Sequence, residues 1–141
     1  MSKLLIEVEN VNNGEQITYF EILTAAYFYH ASKFKDKINI IESGLFHRFD
    51  ATNIIDNNLS SIVTSIGLDH LDWLPKNEQN IEKIVYEKTS SLLNSTIVVS
   101  KQSSDETLNL IKKTINNNQS KKIIYKDDFN YSLSENGFIY Y

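Results

Sequence analysis

Glu42-Ser-Gly-Leu-Phe-His-Arg48-Phe-Asp50-Ala-Thr-Asn53, followed by Ser61-Ile-Val-Thr-Ser-Ile-Gly-Leu-Asp69-His70 and then Tyr86-Glu87-Lys88, decides how this chain reads. Ile38-Asn-Ile-Ile41 is β-branched and ends at the acid Glu42, which predicts a buried strand with a carboxylate at its exit. Ser61-Ile-Val-Thr-Ser-Ile66 predicts a second strand, closed by Gly67, with Asp69-His70 just beyond. After Pro75, Ile81, Ile84, Val85 and Lys88 recur at helical spacing, so Glu87-Lys88 falls at a helix end.

Outward from this centre the alternation continues. Ser95-Thr-Ile-Val-Val99 reads as a third strand. Ser104-x-x-Thr107 opens a helix with Leu108, Ile111 and Ile115 on one face, ended by Asn116-Asn-Asn118. Lys122-Ile-Ile-Tyr125 is a fourth strand, and residues Phe129 to Tyr141 read as a hairpin around Asn136-Gly137. Towards the N-terminus, Leu4-Leu-Ile-Glu-Val8 is a short apolar piece before a turn at Asn12-Asn-Gly14. Thr18-x-x-Glu21 is a capping box opening a helix from Tyr19 to Ser32, with Phe20, Leu23, Tyr27 and His30 on one face; that pattern predicts a largely buried helix. Ile54-Ile55 reads as a brief edge or turn. Strands and helices alternating over short connections predict an α/β fold: a mostly parallel sheet flanked by helices.

Bulk properties bound the function. The chain has 141 residues, 41% hydrophobic and 23% charged, enough for one domain with a real core. A net charge of −4 and a pI near 5.3 argue against nucleic-acid partners, which want clustered cations. There is no cysteine, which excludes disulfides and thiolate zinc and is compatible with a cytoplasmic location. No apolar run approaches the roughly 20 residues of a membrane helix. Arg48 is the sole arginine, and arginine is the preferred bidentate partner of carboxylate and phosphate.

In open α/β sheets ligands bind beyond the carboxyl ends of the strands. Glu42 and Asp69-His70 follow two such strands, and a carboxylate with a neutral imidazole suits a divalent metal. The plainer alternatives are that Glu42 opens a surface loop, His70 caps a helix, and Lys88 complements a helix dipole. Glu21 is a capping acid, His30 a core or boundary histidine, and Trp73 a core aromatic. Lys112-Lys113 and Lys121-Lys122 are solvated surface. The four glycines form no Gly-x-x-x-x-Gly-Lys-Ser/Thr loop, so nothing in these residues cradles a triphosphate.

At Thr18-Tyr-Phe-Glu21, Asp50-Ala-Thr-Asn53 and Thr64-Ser-Ile-Gly-Leu-Asp-His70 the chain resembles the folylpolyglutamate synthase/dihydrofolate synthase family of the Mur ligase group. The resemblance runs from about Thr18 to about Lys101 and continues weakly beyond. It implies a P-loop NTPase-like central ATPase domain without its P-loop segment, with residues 1–141 a partial domain truncated at both ends. It implies an ATP-dependent ligase that adds L-glutamate to folate or dihydropteroate through an acyl phosphate, with Mg2+. By position, Glu42 and His70 are implied as metal ligands, and His70 and Lys88 as catalytic. Asp50, Thr52 and Asn53 are implied as cofactor-binding residues that shape the loop beside the active site. Lys88 falls where the family has a lysine that can be carbamylated. The isolated chain is expected to be inactive and to expose the apolar face of the Tyr19–Ser32 helix. The family pattern Glu-Val-Gly-Leu-Gly-Gly-Arg becomes Glu42-Ser-Gly-Leu-Phe46-His47-Arg48 here. Two bulky residues replace glycines, which favours the alternative of a non-catalytic remnant or binding domain that keeps the fold only. An unrelated metal hydrolase built on Asp69, His70 and Asp72 ranks last.

Overall fold

The computed structural model describes residues 2–135 and 137–141. The centre is a three-stranded parallel sheet in the order β1 (Ser60–Val63), β2 (Thr96–Val99), β3 (Lys122–Ile124). Helices α3 (Ile81–Thr89) and α4 (Asp105–Ile115) form the two crossovers and pack against each other. Parallel neighbours need such crossovers, which is why strand and helix alternate.

The register aligns Val63, Val99 and Ile124 across the three strands, and Ile97 lies on the same face. These residues meet Ile84 and Val85 of α3 and Leu108, Ile111 and Ile115 of α4 in one apolar cluster, with Ile84, Val85, Ile97, Val99 and Ile111 wholly buried. The helices start where their caps dictate. Asn80 accepts from the Lys83 amide at 2.9 Å, and Ser104 accepts from the Thr107 amide at 3.1 Å. The other face of the sheet carries the row Ile62, Val98, Ile123, and Ile62 is 68% exposed.

Helices α1 (Ser2–Asn12) and α2 (Tyr19–Ala31) pack on one another. The residues read as a short apolar piece are thus part of a helix. The capping box forms as expected: Glu21 accepts from the Thr18 amide at 2.7 Å, and Thr18 Oγ1 accepts from the Glu21 amide at 3.2 Å. The reading of α2 as largely buried is corrected. Only Thr24 and Ala26 are buried; Phe20, Tyr27 and His30 are exposed, so His30 is not a core residue. The apolar face expected to be open in the chain by itself is open.

Two further readings change. Ile38–Ile41 is not a buried strand: it pairs with nothing among the described residues, and Ile38 and Ile40 are 78% and 95% exposed. β-branched composition favours extended backbone, but a strand also needs a neighbour to take its hydrogen bonds. Trp73 is 71% exposed in a short 3-10 turn and is not core. The C-terminal hairpin is present, with β4 (Tyr131–Ser134) antiparallel to β5 (Gly137–Tyr140); Asn136 of its turn lies outside the described residues.

Candidate functional site

The loop after Glu42 is built around one carboxylate. Asp50 Oδ2 accepts from the amides of Gly44 (2.8 Å) and Leu45 (3.2 Å), while Oδ1 accepts from the Thr52 amide (2.9 Å) and hydroxyl (2.6 Å). Burial alone would push this carboxyl up, but the donors from Thr52, Leu45 and Gly44 outweigh it and hold Asp50 below the ordinary carboxylate range. A Cβ at Gly44 would stand 3.2 Å from both Asp50 Oδ2 and the ring of Phe20, so one of these side chains would have to give by a few tenths of an ångström. Asn53 continues the loop, its amide 3.4 Å from the Arg48 carbonyl and 3.3 Å from Ser91 Oγ. Ser43 Oγ lies 3.1 Å from His47 Nδ1, and burial pushes the His47 imidazole below its usual value, with Asp50 opposing.

Glu42 itself is exposed and forms no ion pair or hydrogen bond among the described residues. His70 follows β1 and has a left-handed backbone, φ 53° and ψ 27°. For a non-glycine residue that conformation costs about 1–2 kcal/mol, and such strain concentrates at working sites. Its ring meets the buried Phe46 edge-on, with centroids 6.2 Å apart. Lys88, in the last turn of α3, reaches Asp69 Oδ2 at 3.4 Å, and the same oxygen is 3.9 Å from His70 Nε2. The fold therefore brings His70 and Lys88 together through Asp69, across 19 positions of sequence.

Two residues that support this arrangement were not singled out for that role by sequence. Glu87, buried on α3, takes both arms of Arg48 at 2.7 and 2.8 Å and also Lys83 at 3.3 Å. The signals were the lone arginine and an acid three places after Ile84 on the apolar helix face. Gln102 is the second. Its carbonyl accepts from the Ile66 amide at 2.9 Å, and its amide donates to the Thr64 and Ser100 carbonyls, each at 3.0 Å. It ties the segment leading to His70 to the end of β2, and only the fold reveals it.

Among the described residues no group of three or more acids and imidazoles is gathered as a metal cage. Mg2+ does not require one: it keeps several waters and substrate phosphate oxygens and takes one or two protein ligands. The carboxylate of Glu42 and the imidazole of His70 are donors of the kind such an ion takes, but the two are not paired with each other among the described residues.

A parallel sheet crossed by helices, with an Asp-His pair and a lysine beyond its first strand, defines an open α/β domain with chemistry-bearing residues at the carboxyl side of the sheet. The chain is similar in sequence and fold to the dihydrofolate synthase/folylpolyglutamate synthases. It is 41% identical over 76 residues to that enzyme of Buchnera aphidicola, a match covering 54% of this chain and 18% of the relative. It is 38% identical over 98 residues to the Bacillus subtilis enzyme, covering 69% of this chain and 22% of the relative. A solved structure of the bifunctional enzyme from Yersinia pestis, complexed with AMPPNP and Mn ion, matches 98% of this chain and 32% of its own at a TM-score of 0.79 and 26% identity. The chain thus spans about a fifth of the length of these curated relatives. No family model matches it.

Proposed function

We propose that residues 1–141 are part of the central ATPase domain, of Mur ligase type, of a cytoplasmic ligase that joins L-glutamate to the carboxylate of folate or dihydropteroate. In this reading ATP passes its terminal phosphoryl group to that carboxylate, the glutamate amine attacks the acyl carbon, and phosphate leaves as the amide forms. The observation that carries the proposal is the meeting of His70, Asp69 and Lys88 beyond β1, in a chain related to these ligases in sequence and fold.

Glu42 and His70 would hold Mg2+, which when bound offsets the negative charge crowded between phosphates and carboxylate. Lys88 supplies a cation beside Asp69, suited to a phosphate oxygen or acyl phosphate. Asp50 and Thr52 hold the loop from Gly44 onward so that Glu42 is presented from a fixed base, and Asn53 ties that base to the end of α3. The residues contain no phosphate loop, so a triphosphate needs further groups to seat it.

A second reading, a module that keeps the fold without the chemistry, is favoured by Phe46. Its ring is buried against His70, where the family resemblance has a glycine. Mn2+ titration followed by electron paramagnetic resonance separates the two. Saturable binding lost in His70→Ala and weakened in Glu42→Ala supports the ligase reading. No binding, with Glu42→Ala silent, supports the fold-only module.

A further inference from the structure

Arg48 is the one arginine of the chain, and its side chain is turned to an acceptor within the protein. Both of its bonded nitrogens go to Glu87, at 2.7 and 2.8 Å, and its guanidinium lies 4.0 Å over the ring of Phe49 and 5.5 Å from that of Tyr86. Glu87 is 3% exposed. Its second cation, Lys83, sits on the same helix one turn earlier and also binds Glu78 at 2.7 Å. The two cations therefore differ in kind. Lys83 neutralises Glu87 from within α3, whereas Arg48 reaches it from the Glu42–Asn53 loop, 39 positions away.

The residue after Glu87 is Lys88. It stands in the last turn of a helix of nine residues, where fraying is ordinary. It must be held if it is to stay at Asp69. Asn53 bonds the Arg48 carbonyl within the loop and Ser91 just beyond α3, so with Arg48–Glu87 the loop grips the helix end at two points.

We propose that Arg48 is a positioning residue: through its bidentate bond to Glu87 it locks the acid-bearing loop to the end of α3 and so fixes Lys88 beside Asp69 and His70. The catalytic meaning of that position rests on the function proposed above; the lock itself does not. A planar fork held on two oxygens fixes both distance and direction, which a lysine at Arg48 would not do.

The test is site-resolved amine labelling of the folded chain with cyanate, read by mass spectrometry as the rate at Lys88 relative to the exposed Lys113. In Arg48→Ala the ratio is expected to rise by about three- to ten-fold, the mark of a locally opened helix end. Arg48→Lys should rescue it in part. Lys83→Ala should leave it near the parent value, although it also removes a partner of Glu87. If Arg48→Ala does not fold, Arg48→Lys alone decides: a rise in the Lys88 ratio upholds the lock, and an unchanged ratio overturns it. Equal rises in the Arg48→Ala and Lys83→Ala variants would also overturn it, since neutralising Glu87 would then be all that matters. Mn2+ binding is measured on the same samples. A parent chain that binds no Mn2+ yet shows the Arg48-specific rise would remove the metal reading and leave the lock standing.

Discussion

Arg48 and Glu87 close a bidentate ion pair across 39 positions of sequence, joining a loop to the end of a helix that otherwise share no covalent neighbour. Glu87 has almost no access to water, so its charge is compensated by protein groups alone. Glu87→Ala should lower the thermal midpoint, since it leaves Arg48 and Lys83 without their common acceptor. Glu87→Gln should lower it less, because the amide carbonyl still accepts one bond. Thermal unfolding of both variants checks the order.

Acid should destabilise the chain along two successive limbs of pH. Burial holds His47 below its ordinary value of 6.5. The Arg48 hydrogen bonds hold Glu87 below 4.5. Burial raises Asp50, but its donors bring it below 3.8. A group depressed on folding binds fewer protons folded than unfolded, so its stabilisation is complete above the unfolded value and is lost as pH falls through the folded one. The midpoint should be flat above about pH 6.5, decline gently below it, and decline steeply below about pH 4.5. His47→Asn should remove the gentle limb and leave the steep one.

Asp50→Ala removes the acceptor of four hydrogen bonds and leaves the amides of Gly44, Leu45 and Thr52 to find water. The loop is half-buried, so the loss should be about 1–3 kcal/mol in urea unfolding. Amide exchange should quicken at Gly44 and Leu45 first.

Ile97→Ala should cost about 2–5 kcal/mol, because the residue is wholly buried between strand neighbours and both crossover helices. Thr18→Ala should cost only about 1 kcal/mol, as the loss of an exposed helix cap. Comparing the two by denaturant titration tests where the stability resides.

Exposed apolar side chains should drive weak self-association. Ile40 (95% exposed), Tyr19 (78%) and Ile62 (68%) are among them. Sedimentation should show concentration-dependent association, reduced in an Ile40→Thr/Ile62→Thr variant with an unchanged thermal midpoint. A parent chain that stays monomeric at high concentration would count against it.

The periodic parts of the sequence determined α2, α3, α4 and all three sheet strands, because apolar spacing and a cap act over a few residues and leave a local mark. The parallel direction of the strands followed from the alternation of strands and helices, and their order came from the fold. Ile38–Ile41 escaped that logic. Its composition favours extension, yet whether an extended segment joins a sheet depends on a partner's free hydrogen-bonding groups, which no local pattern reports. Burial of α2 escaped it too, since an apolar face announces that it can be covered and not that it is. At the candidate site, residue types and order marked Glu42 and His70, and the resemblance to the ligase family added Lys88. Only the tertiary structure joined His70 to Lys88 through Asp69, gave Arg48 its acceptor in Glu87, and set Gln102 beneath the approach to His70. Those contacts link segments 19 to 39 positions apart, and their geometry is fixed by the packing between them.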